Sequence, residues 1–294
     1  MRVVVTGANG AVGRAIFRTV PRPDVVAVVR SERAVAELRP DVGDTRVIRV
    51  SYDDAASLAA AFDGAAALVH LAGVLVERPG ATYEDANVET TRRVADAAKR
   101  AGVAKLVLVS AVGADGRSTN RYWRSKGEAE AIVRTCGIAY TIIRVPMLLG
   151  RGTEAAAALR RRLEGRTVAL LHGGRTLQQP LAVADVARAT LIACDAGTAA
   201  RQTLELAGPT AVRDREIVEH GARLVSRRVR ILPVPVWSAR LGLAIVHRAG
   251  RPGFSADALE VLTTDTRIDP ARAVRELGLT LTPLDEMIRE SIRP

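Results

Sequence analysis

Cysteine, lysine, aromatic side chains and long apolar runs are all scarce in this chain of 294 residues, and each shortage removes a class of protein. Its two cysteines, Cys136 and Cys194, stand far apart with no histidine at ligand spacing. That excludes a zinc motif and a disulfide-built secreted scaffold, and no metal site is expected. Aromatic residues make up 3% of the chain. With so few rings to stack on bases, and with arginines scattered rather than blocked, nucleic acid is not an expected partner. No apolar run reaches the roughly 18 residues of a spanning helix, so no transmembrane segment is expected. The amino terminus runs straight into a strand without a signal-peptide core, and a reducing cytoplasm is the expected compartment.

What is present is ordinary for a globular chain: 48% apolar residues, 26% charged and a mean hydropathy of +0.09. Basic residues outnumber acidic ones by 43 to 32, yet only Lys99, Lys105 and Lys126 are lysines. The bland account is a solvated, arginine-biased surface that mildly attracts anionic ligands.

Short β-branched runs at residues 3–5, 25–29, 47–50, 67–71, 106–109 and 140–145 read as six buried parallel strands. Between them, residues 11–20, 32–38, 55–62, 83–101 and 122–136 carry apolar positions at helical spacing. The alternation predicts an α/β fold, a doubly wound parallel Rossmann sheet over residues 1–150. After Gly150 it breaks down. A helix at 153–164, a strand at 168–171, a helix from Asp185 and a strand near 204–206 precede a further helix, a strand at 230–235, an apolar stretch at 236–247 and two short terminal helices. Residues 151–294 are expected to form a smaller mixed α/β portion that closes a substrate crevice, with elements near 180–207 returning to the Rossmann sheet.

Thr6-Gly7-Ala8-Asn9-Gly10-Ala11-Val12-Gly13 closes the first strand and opens the first helix. Gly7 suits the tight turn, Gly10 the approach of a diphosphate and Gly13 close helix packing, so Gly7, Asn9, Gly10, Ala11, Val12 and Gly13 are the expected diphosphate cradle of a dinucleotide. The second strand ends in Val29-Arg30-Ser31, where an acidic residue would accept from a ribose 2′-hydroxyl and an arginine would pair with a 2′-phosphate. Arg30, with Arg14 as a second cation, favours NADP(H) as cofactor; Glu32 keeps NAD(H) open.

Tyr122 and Lys126 stand four apart at the start of the helix after the fifth strand, which puts both on one face about 6 Å apart at Cβ. A neighbouring ammonium lowers a phenol from its usual pKa near 10, and the expected result is a usable general acid and base. His70 and His172 read instead as structural, one on a buried strand and the other in a glycine turn.

With these residues in place the chain resembles the short-chain dehydrogenase/reductase superfamily on its extended or atypical side. It is most similar to the NAD-dependent epimerase/dehydratase and NmrA-like group that includes the 39 kDa accessory subunit of respiratory complex I. The resemblance rests on residues 6–13, on His70-Leu71-Ala72-Gly73, on Asn87-Val88-Glu89-Thr90-Thr91, on residues 122–126 and on the turn around Asp185. It implies that Tyr122 exchanges a proton with substrate, that Lys126 holds the nicotinamide ribose, and that Asn87 anchors a water relay. Leu71, Ala72, Gly73, Val145 and Pro146 would line the cofactor.

The chain departs from the family pattern at three places. Ser110 is the nearest hydroxyl to the reacting centre, because Ala111 and Val112 stand where the working Ser or Thr is usual. Ser51 replaces the adenine-binding aspartate, leaving Asp53 as the nearby carboxylate and Asp54 as a helix cap. Arg144-Val145-Pro146 moves the usual Arg-Pro pair by one residue.

Val112, Met147, Gln179 and Trp237 are the expected substrate contacts, together forming apolar walls for a small molecule. Trp237 and residues 241–246 read first as a lid or core helix, with a membrane surface or a homodimer interface as the other readings. The functional expectation is an oxidoreductase acting on a carbonyl or alcohol. Epimerase or dehydratase chemistry is a variant of it, and a dinucleotide-binding redox sensor or assembly scaffold is the rival.

Overall fold

Valine and isoleucine pack well on pleated surfaces covered from both sides, and the β-branched runs do form such strands. A computed structural model describes residues 1–19, 24–248 and 254–293, excepting the side chains of 244–248. The first half runs β1 (Val3–Thr6), α1 (Ala11–Thr19), β2 (Val25–Val29), α2 (Glu32–Val42), β3 (Val47–Arg49), α3 (Ala55–Ala61), β4 (Ala67–His70), α4 (Thr90–Arg100), β5 (Lys105–Ala111), α5 (Arg121–Thr135) and β6 (Ala139–Val145). A π-helical turn, Glu84–Glu89, leads into α4. There follow β7 (Leu148–Leu149), α6 (Glu154–Glu164), β8 (Thr167–Leu171), β9 (Leu177–Gln178), β10 (Leu181–Ala182), α7 (Val183–Ile192), β11 (Gln202–Glu205), β12 (Val212–Arg213), α8 (Asp214–Leu224), β13 (Arg230–Val234) and α9 (Val236–Arg248). Three helices complete the described chain where two were expected: α10 (Ala256–Thr263), α11 (Ala271–Leu277) and α12 (Leu284–Ile292).

Seven strands form one sheet in the order β11-β6-β5-β4-β1-β2-β3, every neighbouring pair parallel. The order reverses between β1 and β4, which opens a crevice beyond their carboxyl ends. One buried layer, including Ile16, Val107, Ile143 and Val186, lies under α1 and α7. The opposite layer, including Leu58, Phe62, Val94, Leu106 and Val133, lies under α3, α4 and α5. A third core of Leu149, Leu159, Val168, Val218 and Ile288 holds the later portion together. β11 leaves that portion and pairs with β6 from Gln202 to Glu205.

Two of the three lysines are not on the surface at all. Lys105 is 1% exposed on β5 and donates to the Thr198 carbonyl at 2.9 Å, while Lys126 is buried on α5. The solvated surface of this chain is therefore an arginine surface.

Candidate functional site

The turn after β1 has room only for glycine at two positions. Gly7 has φ +70°, and a Cβ there would stand 2.7 Å from the Ala72 nitrogen. A Cβ on Gly13 would come within 2.2 Å of the Ala8 carbonyl oxygen, so α1 seats directly on the turn. A cleft of ≈ 270 Å³ opens above. Gly7, Asn9, Gly10, Arg30, Leu71, Ala72 and Gly73 line it, and Ser31, Tyr52, Val74, Ala86 and Thr90 add to its walls. Ala11, Val12 and Gly13 are not among its walls: Val12 and Gly13 are buried in the base of α1.

Tyr52 is a functional neighbour that sequence reasoning missed. It is 4% exposed, its hydroxyl accepts from the Gly7 amide at 3.2 Å, and the Arg30 guanidinium lies 5.7 Å from its ring centre. Asp53, one residue on, is drawn outward to Arg93 at 2.6 Å and is not a wall of the cleft. Asp54 caps α3, accepting from the Ser57 amide. Glu32 pairs with Arg49 at 2.7 Å, and Arg14 is held with Arg18 on the Asp41 carboxylate. Arg30 is thus the cation that faces the cleft, and Arg14 is not its second contact.

The other end of the cleft meets α5. A Cβ on Gly73 would stand 2.8 Å from Asn87 Oδ1 and 3.6 Å from Lys126 Nζ. Asn87 sits in the π-helical turn, accepts from the Val74 amide at 2.8 Å and donates to Ser125 Oγ at 2.9 Å. It staples the cleft rim to the helix that carries Tyr122 and Lys126. Lys126 Nζ donates to the Val109 carbonyl at 3.2 Å, and burial lowers its pKa to about 8, with the Glu130 carboxylate pulling the other way.

Tyr122 departs from expectation. Burial, with Tyr83 adding a smaller effect, raises its phenol well above the ordinary value rather than lowering it. The phenol is therefore protonated as it stands. Its ring packs on Tyr83 at 5.8 Å between centroids, and Tyr83 is in turn fixed by donating to the Leu75 carbonyl. Asn120 caps α5 by accepting from the Tyr122 and Trp123 amides, and donates to Glu260 Oε2 at 2.9 Å. The Arg121 amide donates to Asp257. α10 thereby braces the start of α5.

Ser110 Oγ and Trp123 Nε1 are buried without a hydrogen-bond partner among the described residues. Both border the loop after β5, where the Val112 amide donates to the Val145 carbonyl. Val112, Val145, Pro146 and Met147 are half-buried along this edge. Glu130, also missed from sequence, lies one turn beyond Lys126 and is fully buried, accepting from Arg144 at 2.8 and 2.7 Å and from Arg134 at 2.6 Å.

Two expected substrate contacts lie elsewhere. Gln179 is buried and spent, donating to the Gly208 and Ile268 carbonyls and accepting from the Ile268 amide. Trp237 is 70% exposed and lines neither cavity, because among the described residues nothing covers the face of α9 that carries it. This also corrects the core-helix reading at Trp237; the side chains of Ala244, Ile245 and Val246 lie outside the described residues.

His70 illustrates the structural alternative to catalysis. It is fully buried, with Nδ1 2.7 Å from Thr6 Oγ1 and Nε2 3.1 Å from Thr91 Oγ1. Burial, with Lys126 adding to it, lowers its pKa from 6.5 to about 3. Between those values the unfolded chain binds a proton that the folded one refuses. Stability present above pH 6.5 is therefore lost on acidification, at about 1.4 kcal/mol per pH unit until about pH 3. Urea midpoints measured from neutral pH down to about pH 4 should show this fall, and His70→Asn should flatten it.

A family model described as NAD(P)H-binding matches residues 7–196. The chain is 26% identical to the mitochondrial NADH-ubiquinone oxidoreductase 40 kDa subunit of Neurospora crassa, over 94% of this chain and 74% of that one. It is 29% identical to a ceramide reductase of Caulobacter vibrioides over 53% of this chain and 49% of the other. The solved structure of MoeE5 in complex with UDP-glucuronic acid and NAD superposes with a TM-score of 0.76 at 25% identity, covering 99% of this chain and 98% of that one. Both kinds of relative agree with the extended short-chain dehydrogenase/reductase resemblance.

Proposed function

The chain belongs to the NAD(P)H-binding family, and on that premise we propose that it is an NADP(H)-dependent reductase of the short-chain type, acting on the carbonyl of an apolar small molecule. The observation that carries this reading is the placement of Lys126 Nζ beside Gly73, at the far end of the cleft that begins at Gly7 and Arg30. This supports a dinucleotide that runs from the glycine turn toward Lys126 and Tyr122. The free amides at the start of α1 suit the diphosphate, and Arg30, backed by the Tyr52 ring, suits a 2′-phosphate.

When bound, the dinucleotide supplies a hydride to the carbonyl carbon. The chain's own part is the proton: the Tyr122 hydroxyl, kept neutral by burial, gives it to the carbonyl oxygen, and the Lys126 ammonium stabilises the phenolate left behind. The ceramide reductase relative supports a lipid-like substrate. A second reading, a dinucleotide-binding subunit without turnover, is favoured by Val112 in place of a hydroxyl and by the respiratory-subunit relative.

Fluorescence titration with NADPH and NADH, paired with NADPH oxidation over a panel of apolar aldehydes and ketones, tests the proposal. Arg30→Ala is expected to weaken NADPH about tenfold and leave NADH nearly unchanged, since a charge-assisted phosphate contact is worth about 1.5–3 kcal/mol. Equal losses for both coenzymes would remove the NADP(H) assignment. Tight binding without oxidation of NADPH on any carbonyl would favour the second reading.

A further inference from the structure

We propose that α9 and the strand leading into it form a docking surface for an anionic lipid bilayer. The inference goes beyond the cofactor reading and does not depend on it. Trp237 and Leu241 are 70% and 56% exposed, one turn apart and so on one face of α9. Leu232, on the preceding β13, is 50% exposed. Exposed Arg227, Arg228, Arg230 and Arg240 surround these apolar side chains in sequence.

The charge pattern says what would cover this face. Residues 220–256 contain seven arginines and neither aspartate nor glutamate, against a net charge of +11 for the whole chain. A cationic helix that presents Trp and Leu is suited to lie in the plane of a bilayer, with the indole at headgroup depth and guanidinium groups on lipid phosphates. Among the described residues no helix is long and apolar enough to cross a membrane, so association is lateral. Where β13 hands over to α9, Ile231, Pro233, Val234 and Pro235 face Arg175 across a cavity of ≈ 490 Å³, which places a further cation at the root of the helix, while Arg215 on the same cavity is paired with Glu219 at 3.0 Å. A polyanionic nucleic acid would use the arginines and leave the apolar side chains wet.

The surface lies close to the chemistry. α9 packs on α10, and α10 holds Asn120 and Arg121 at the start of the helix bearing Tyr122.

The two tryptophans make the test direct, because Trp123 is half-buried with its ring nitrogen fully buried while Trp237 is open to water. The full chain is mixed with sucrose-loaded vesicles of phosphatidylcholine alone, or of phosphatidylcholine with an equal part of phosphatidylglycerol, and sedimented at low and at high salt. Binding to the anionic vesicles is expected to exceed that to the neutral ones by about tenfold, to weaken with salt and to shift Trp emission to the blue. The Trp237→Glu/Leu241→Glu variant should fold as the parent does by circular dichroism and lose both the sedimentation and the shift.

Equal sedimentation with both vesicle types, or anionic binding unaffected by the double substitution, would overturn the proposal. A concentration-dependent dimer abolished by the same substitutions, without vesicle binding, would overturn it too and give the face to a second copy of the chain.

Discussion

Tyr122→Phe is expected to leave NADPH bound and to cut turnover on apolar aldehydes and ketones by about a hundred- to ten-thousand-fold, the usual worth of a positioned proton donor. The split follows from the geometry. The ring remains to pack on Tyr83, and the cleft walls from Gly7 to Gly73 are untouched, so binding has no reason to change. Only the proton is removed. Lys126 adds a pH signature to the parent protein: its ammonium is intact below about 8 and is lost above it, so turnover should fall as pH rises through that value. Stopped-flow and steady-state rates over this range, beside a NADPH titration of the variant, check both halves. A variant as active as the parent would take Tyr122 out of the reaction.

Glu130→Ala is expected to destabilise the fold by about 3–5 kcal/mol, the cost of removing one partner from a buried ion pair. Burial alone would raise this carboxyl. Burial is the largest single influence, but the hydrogen bonds and charge of Arg144 and the hydrogen bond from Arg134 together outweigh it and hold the carboxyl below its ordinary range. Arg144 also donates to the Ala114 carbonyl and reaches Glu205 at 3.4 Å, so the group ties α5, β6, β11 and the loop after β5 together. Its loss would leave a half-buried guanidinium without its main partner. Glu130 also raises the pKa of Lys126, so the variant's ammonium should titrate below about 8 and the alkaline limb of the rate profile should move to lower pH. Urea denaturation gives the first quantity and the pH–rate profile the second.

The sheet was legible because its strands are covered on both faces and read as unbroken β-branched runs. The glycine turn was legible because Gly7 and Gly13 have no sterically allowed substitute. Other residues resist such reading for physical reasons. Tyr52 matters through a ring that meets Arg30 from another strand end, and Gln179 through carbonyls 29 and 89 residues away, neither of which leaves a local pattern. The four-residue interval put Tyr122 and Lys126 on one helix, but the direction of the phenol shift was not legible, since it is set by how the ring is surrounded rather than by the interval. The exposure of Trp237 is likewise a property of what fails to pack on α9, and an amphipathic stretch looks the same whether its apolar face is covered or bare.

The bracing of α5 by α10 bears on how the chain is made. Arg121 and Asp257 are 136 positions apart, so at about 5–20 residues per second the ribosome needs roughly 7–27 s between delivering the two. Through that interval the start of α5 lacks its distant clasp, and for the first part of it the edge strand β11 at Gln202–Glu205 is still untranslated. A nascent chain in this state presents β6 with open backbone groups and calls for chaperone cover, and a truncated product would inherit the cleft without the support that holds its phenol in place.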